Sequence, residues 1–284
     1  MGDPYTLAYS PCPNDTFIFA ALTNGLIDGA PRVEAVLDDV EALNAAARRG
    51  AYSLTKASYG AVPYLMDRYR ILRAGGALGR GCGPLLVARP RNGRVPKLAQ
   101  LEAEARIAIP GILTTAFLLL RLALGRTPPI AEMRFDRIVD AVAAGEVDAG
   151  LVIHESRFTY RSKGLAEIVD LGTWWEEQTN APIPLGAVLV RRDVGEVAGT
   201  TLNRAVRASL DFARTKEEAI IDYVRAHAAE MDDDVMRKHI GLYVNDFSDD
   251  VGDEGEAAVA ELFGRASAAC LIPPTTRGEF VPAT

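Results

Sequence analysis

The residue best suited to moving a proton is His154, which closes the apolar run Val147-Asp148-Ala149-Gly150-Leu151-Val152-Ile153. The other two histidines, His227 and His239, fall in the last quarter of the 284-residue chain. An unperturbed imidazole titrates near pH ~6.5, so it can accept and return a proton at neutral pH. The run before it reads as a buried parallel strand, and ligands of open α/β sheets sit beyond the carboxyl ends of such strands. A histidine there is either a general base facing a crevice or a structural residue hydrogen-bonded at a strand end. Glu155 either polarises the ring or points to the opposite face, as strand neighbours do. The preceding 136–145 segment is an amphipathic helix pattern closed by a glycine C-cap, Gly145.

Three further strand-to-helix turns carry small polar groups at the same topological position: Ser10 to Asp15, Lys56 to Ser58, and Pro110 to Thr115. Free N–H groups and the positive dipole end of a helix amino terminus hold carboxylates. Each of these serines and threonines also serves as an ordinary helix cap, but their recurrence points to one anion gathered between them. Lys56 offers a cation near a strand end, or is a surface lysine. Cys12 lies between Pro11 and Pro13 with no evident histidine or carboxylate partner, so a nucleophilic role has little support. The Gly79–Gly83 run lacks the Gly-Lys-Ser/Thr ending of a phosphate loop and precedes a strand. Trp174, Trp175, Glu176 and Glu177 read as packing and a solvated face, and His227 and His239 as solvated or packing residues of a helical tail.

Composition narrows the class. The chain is 49% hydrophobic and 24% charged, and its 31 basic against 38 acidic residues give a net charge of −7. This is an ordinary globular composition, and an acidic chain without a basic block disfavours nucleic acid as partner. The amino terminus has neither the charged nor the apolar region of a secretory signal, and the longest apolar run, Ile112 to Leu124, is too short for a membrane span. Three widely spaced cysteines fit a reducing cytoplasm without structural disulfides or a zinc site.

The elements that must position these groups alternate strand and helix. Strands are expected at Tyr5–Ser10, Arg32–Leu37, Leu54–Ser58, Arg70–Ala74, Pro84–Arg89, Arg106–Ile109, Glu132–Phe135, Ala166–Leu171 and Pro184–Arg191, besides the one before His154. Helices are expected at Thr16–Leu26, Val40–Arg49, Tyr59–Tyr69 with Ser58 as cap, Leu98–Ala103, from Thr114 or Thr115 to Leu124, and over most of the chain after Thr200. The similar strands at Pro84–Arg89 and Pro184–Arg191 bracket a self-contained α/β unit, as a double crossing between two lobes would. The fold class is therefore α/β and two-lobed, with a ligand cleft between lobes. Residues 1–90 and 187–284, the latter mainly helical, form the first lobe, and 91–186 the inserted second.

Several segments together resemble a known enzyme family. They are Ser10-Pro11-Cys12-Pro13-Asn14-Asp15-Thr16-Phe17-Ile18-Phe19, Leu54-Thr55-Lys56-Ala57-Ser58-Tyr59, Gly75-Gly76-Ala77-Leu78-Gly79-Arg80-Gly81, Pro110-Gly111 with Thr114-Thr115-Ala116, and Ile153-His154-Glu155-Ser156-Arg157-Phe158-Thr159-Tyr160. The chain is similar to the 1,4-dihydroxy-6-naphthoate synthases of the futalosine route to menaquinone, from about Tyr5 into the helical tail. The resemblance implies a periplasmic-binding-protein-like type II fold without an export signal. It also implies a lyase that converts cyclic dehypoxanthine futalosine, a small-molecule carboxylate, into 1,4-dihydroxy-6-naphthoate and dihydroxyacetone, with no metal or organic cofactor. By the same resemblance His154 is the catalytic base, and Lys56, Ala57, Ser58, Thr114 and Thr115 bind substrate. Ile112-Leu113 departs from the more polar pair expected before the threonines.

Two other classes share this architecture. A solute-binding module normally carries an export signal and has no need of a histidine in its cleft. The chorismate dehydratase of the same pathway is disfavoured by the Ser10–Phe19 and His154–Tyr160 motifs. A ligand-sensing regulator would bring a basic helix-turn-helix, and none is visible.

Overall fold

The computed structural model describes residues 3–90, 92–228, 232–275 and 277–283. Its apolar runs assemble into two sheets. The first holds β1 (Tyr5–Tyr9), β2 (Val33–Leu37), β3 (Leu54–Ser58), β4 (Tyr69–Ile71), β5 (Ala77–Gly79) and, from much later in the chain, β11 (Ile183–Arg191). Its order is β2-β1-β3-β11-β4, with β5 also on β11. The second holds β6 (Leu85–Ala88), β7 (Ile107–Ile109), β8 (Ile130–Glu132), β9 (Ala149–Val152) and β10 (Ala166–Asp170), in the order β10-β6-β9-β7-β8.

Each sheet is parallel except for one reversed strand. In the first sheet β11 runs against β3, β4 and β5; in the second β6 runs against β9 and β10. These are the two strands whose likeness marked the crossings in the sequence, and each lies beyond its crossing. Leu85–Ala88 already pairs inside the second sheet, and Ile183 already pairs with Gly79 of the first. The expected division at 90 therefore falls after β6, and that at 186 falls inside β11; the chain crosses after Gly79 and again before Ile183. The physical reason is burial: all four residues of β6 are buried, which an apolar strand achieves only with neighbours and covering layers on both sides.

The helices are α1 (Pro13–Thr23), α2 (Val40–Arg48), α3 (Thr115–Leu124), α4 (Phe135–Ala144), α5 (Ser156–Thr159), α6 (Leu171–Thr179), α7 (Glu196–Thr215), α8 (Ile221–His227), α9 (Asp233–Tyr243), α10 (Asp246–Asp249) and α11 (Gly252–Ala268). Helix α1 starts earlier than its apolar stripe suggests, because Pro13 fits the first turn, where an N–H would have no partner. It is buried almost all round, packed by α7, α8 and α9. Helix α4 ends as expected at Gly145, in left-handed conformation with φ 80°. One apolar core lies between the first sheet and α1 with α7–α9, and another packs α4 on the second sheet. A third runs from one sheet to the other, around Leu86, Ile107, Leu119, Trp175 and Leu189. Each of these fully buried large side chains contributes about 1.5–3 kcal/mol of apolar transfer. Among the described residues no helix is long and apolar enough to cross a membrane.

The helix expected over Tyr59–Tyr69 does not form; only a 3-10 turn, Val62–Tyr64, appears. Gly60 passes so close to the loop before α3 that a Cβ there would lie 2.9 Å from the carbonyl oxygens of Leu113 and Thr114. The segment is a run of tight turns that links β3 to β4 within the first sheet, closed by local hydrogen bonds such as Ala61 N–H to the Ser58 carbonyl, and Pro63 further limits its hydrogen bonding. The helix expected at Leu98–Ala103 likewise shortens to a 3-10 turn at Leu98–Gln100, and β8 lies earlier than the strand expected at Glu132–Phe135.

A second close passage joins Gly83, on the way into β6, to Gly172 at the start of α6: a Cβ on Gly83 would stand 2.2 Å from the Gly172 nitrogen. Backbone cannot yield as a flexible side chain can. Gly83→Ala is expected to destabilise the protein by about 2 kcal/mol or more, read as a lower midpoint of thermal unfolding. An unchanged midpoint would show that this crossing is free to shift.

Candidate active site

The carboxyl ends of β1, β3, β7 and β9 converge on one cavity of about 720 Å³, open side included. Ser10 enters it from β1, Lys56-Ala57-Ser58 from β3, Thr114-Thr115-Ala116 from the turn into α3, and Ile153-His154 from the turn after β9. The crossing strand β11 supplies Leu185 and Gly186, and α9 closes one side with Tyr243. All six residues singled out in the sequence thus line the same space.

The floor is a buried ion pair. Lys56 Nζ donates to Asp15 Oδ1 at 2.7 Å and to the Gly75 carbonyl at 2.8 Å, and both side chains are almost wholly inaccessible. Asp15 Oδ1 also accepts from Asn14 Nδ2 at 2.9 Å, while Oδ2 accepts from the Ser10 hydroxyl at 2.7 Å and the Ser10 N–H at 3.3 Å. Lys56 is therefore neither a surface lysine nor an unspent cation. Its charge is matched within the first lobe, and it presents a neutral polar wall.

Ser58 is oriented by Asn44, which is fully buried. Asn44 Oδ1 accepts the Ser58 N–H at 2.9 Å, and Asn44 Nδ2 donates to the Ser58 hydroxyl oxygen at 3.2 Å. With that oxygen accepting, the hydroxyl proton is left for an acceptor in the cavity. The threonine hydroxyls are used differently. Thr114 Oγ1 donates to the Gly111 carbonyl at 2.7 Å and caps α3 by accepting the Phe117 N–H at 3.2 Å. Thr115 Oγ1 accepts the Gly60 N–H at 3.0 Å and donates to the Leu185 carbonyl at 2.7 Å, which ties α3 to the first sheet. What this corner offers an anion is the first turn of α3, with its N–H groups and dipole.

His154 lies just past the end of β9 with φ 54°, a left-handed conformation uncommon for a side-chain-bearing residue. Its Nδ1 is 3.3 Å from Cys12 Sγ, its ring leans on Phe135 (centroids 5.0 Å apart, planes at 60°), and it stacks on His239 at 6.2 Å and 19°. Cys12 thus has a histidine partner that its sequence neighbourhood hides, 142 residues away. Burial pushes the Cys12 thiol up, and the nearby carboxylate of Glu155 adds to the shift. One Glu155 carboxylate oxygen is itself buried without a hydrogen bond.

His239 is fully buried on α9, not solvated, packed against Tyr243 with ring centroids 4.7 Å apart. Neither of its ring nitrogens has a hydrogen-bond partner among the described residues. Burial, and then the neighbouring His154, lower its pKa from 6.5 to about 3, so it stays neutral. Glu41, on α2, was also illegible in the sequence. Its carboxylate reaches across the cleft to the Leu113 N–H at 3.3 Å and accepts from Asn44 at 3.2 Å. Burial raises its pKa to about 7.

Two sheets, each with one reversed crossing strand, and a cavity at the ends of their parallel strands define the periplasmic-binding-protein fold. A Candida albicans protein described as having that generic fold superposes with a TM-score of 0.68 at 13% identity, over 96% of this chain and 92% of its own. Residues 5–268 match the family model for menaquinone biosynthesis, and the chain belongs to that family. A relative from Thermus thermophilus, named 1,4-dihydroxy-6-naphtoate synthase, is 53% identical across 97% of this chain and 98% of its own. One of the same name from Streptomyces coelicolor is 46% identical across 95% of each.

Two outcomes follow from these electrostatics. Lys56→Met strands the Asp15 carboxylate in a buried site and is expected to cost about 3–5 kcal/mol in denaturant unfolding; adding Asp15→Asn should recover part of it. A Lys56→Met protein of unchanged stability would mean that the pair is solvated. Glu41 keeps its proton in the folded state over a range where the unfolded chain has lost it. Stability is therefore lost as pH rises from about 4.5 to about 7, and the penalty is complete above that. Glu41→Gln should stabilise the protein by about 1–3 kcal/mol above pH 7, with the gap closing below pH 4.5. A gap independent of pH would refute this assignment.

Proposed function

We propose that this protein is a carbon–carbon lyase that converts cyclic dehypoxanthine futalosine into 1,4-dihydroxy-6-naphthoate and dihydroxyacetone, with His154 as general base. The observation that carries this reading is the placement of one imidazole among four strand ends in a cavity that already neutralises its own charges. The names of the two relatives and the menaquinone biosynthesis family support it.

The substrate carboxylate would lie against the first turn of α3, accepting backbone N–H groups and the Ser58 hydroxyl proton. Because Asp15 already balances Lys56, the helix end and hydroxyl, not the lysine charge, supply most of the attraction. The far end of the substrate then reaches His154, which follows β9, the strand paired with β7 in the same sheet. The imidazole removes a substrate proton, the pair left behind forms a new double bond, and the neighbouring carbon–carbon bond breaks with its own pair passing to the departing fragment. The ring left behind aromatises, and the imidazolium returns its proton to the departing three-carbon fragment. The atoms of the substrate divide between the two products, so no water or oxidant is consumed. Gain of aromaticity supplies much of the driving force, which leaves the protein the tasks of positioning, proton transfer and water exclusion. We further place this chemistry in the cytoplasm, where such a carboxylate intermediate would be made and used.

The test is direct incubation of the purified protein with cyclic dehypoxanthine futalosine, followed by chromatography and mass analysis for both products. The wild type should yield equal amounts of the two. His154→Ala should be slowed about 10²- to 10⁴-fold while still binding substrate in calorimetry. Substrate bound but recovered intact from the wild type would leave a solute-binding protein. Turnover of chorismate instead would point to the dehydratase of the same pathway.

A further inference from the structure

Cys12 takes no part in the steps above, yet its sulfur lies within hydrogen-bond reach of the base. Its backbone is unusually well fixed. It lies between two prolines in an extended conformation (φ −63°, ψ 147°) as the N-cap of α1. Its carbonyl accepts from the N–H groups of Asp15 and Thr16 and from the Thr16 hydroxyl, all within 3.1 Å. His154 comes to it from the other sheet, on a strained left-handed backbone whose ring is walled by Phe135 and His239. Neither wall offers a polar atom to Nδ1 through its ring face, and the Cys12 sulfur lies 3.3 Å from that nitrogen.

We propose that Cys12 is the positioning residue of the base: His154 donates its Nδ1–H to Cys12 Sγ, which leaves the Nε2 lone pair facing the cavity. A neutral imidazole has one proton, and the hydrogen bond made by one nitrogen decides what the other can do. Free imidazoles favour the proton on Nε2, the tautomer that could not take a proton at that position. A fixed acceptor at Nδ1 reverses the preference.

A thiolate–imidazolium pair of the nucleophilic kind is disfavoured here. Burial first, and then the negative charges of Glu155, Asp15 and Asp39, push the Cys12 thiol up against the opposing hydrogen bond of the Ser10 side chain, and keep it a neutral thiol. His239, stacked on the other side, is neutral as well and offers no charge to the ring. The bond also spans the cleft. Cys12 belongs to the first sheet's α1 and His154 to the turn after β9 of the second, so the productive tautomer is enforced only while the lobes are together. Closure and readiness of the base become one event.

This inference rests on His154 being the base, so the test has a readout apart from turnover. In the full-length protein labelled with ¹⁵N-histidine, the ring nitrogens of His154, assigned with His154→Ala, report which one carries the proton. The expected spectrum shows a protonated Nδ1 and a bare Nε2 in the wild type and in Cys12→Ser, whose hydroxyl oxygen accepts the same N–H. Cys12→Ala should drift towards the Nε2–H form. It should also lose about tenfold or more in kcat at nearly constant KM, whereas Cys12→Ser stays within a few-fold of wild type. A protonated Nε2 in the wild type would overturn the proposal, as would a Cys12→Ala protein with wild-type tautomer and kcat. An inactive Cys12→Ser, with a covalent adduct on the wild type by intact mass, would instead make the thiol a nucleophile. If the wild type turns over no futalosine-derived substrate, the function fails, while the tautomer measurement still decides the role of Cys12.

Discussion

The site depends first on the ion pair between Lys56 and Asp15. A lysine at the end of a central strand and an aspartate in the first turn of a buried helix would each be untenable alone in so dry a place. Together they join β3, the amino terminus of α1, the end of β1 through Ser10 and the loop at Gly75. That network makes one wall of the cavity rigid and electrically quiet. The wall can be lined with polar atoms without attracting counterions, and the helix dipole of α3 opposite remains the main unbalanced attraction for an anion.

The second wall is brought up to the first by contacts that cross between sheets: Glu41 with Leu113, Gly60 and Leu185 with Thr115, and Cys12 with His154. None is a large apolar surface. They are single hydrogen bonds, three of them to backbone atoms, laid around the rim of the cleft. Bonds of this kind, each contributing of the order of 1 kcal/mol, can be exchanged for water when the lobes part. A site that must admit a substrate and then exclude solvent needs closing contacts of that modest strength. The apolar core that links the sheets sits behind the cavity, where it can act as the hinge side.

Several local costs gather near His154. The residue is in a left-handed conformation, Glu155 buries an unpaired carboxylate oxygen, and His239 buries two unpaired ring nitrogens. Orphaned polar atoms and strained backbone are rare in a stable interior and cluster where geometry serves chemistry. The rings of Phe135 and His239 pack against the imidazole, and the Cys12 sulfur lies within hydrogen-bond reach of its Nδ1.

Much of this was legible in one dimension. The alternation of apolar strands with capped helices, and the two similar strands that cross between lobes, follow from patterns of two to four residues. Such patterns are set by the backbone geometry of strand and helix. His154 stood out for the same reason, as the lone titratable ring at the end of an apolar run, and the polar strand-to-helix turns together with the motif resemblance pointed to the other five candidate residues. What folding alone decided is who faces whom. The Cys12–His154 contact joins residues 142 positions apart, and the Lys56 charge is cancelled by a residue 41 positions away. His239 looked like one more polar residue on an amphipathic tail, and the helix expected after Ser58 gives way to a run of turns where Gly60 lies against the backbone of Leu113 and Thr114. Local sequence determines conformation through steric and hydrogen-bond preferences that reach one helical turn. Protonation state, burial and partnership depend on the distances between elements, and only the packed structure sets those.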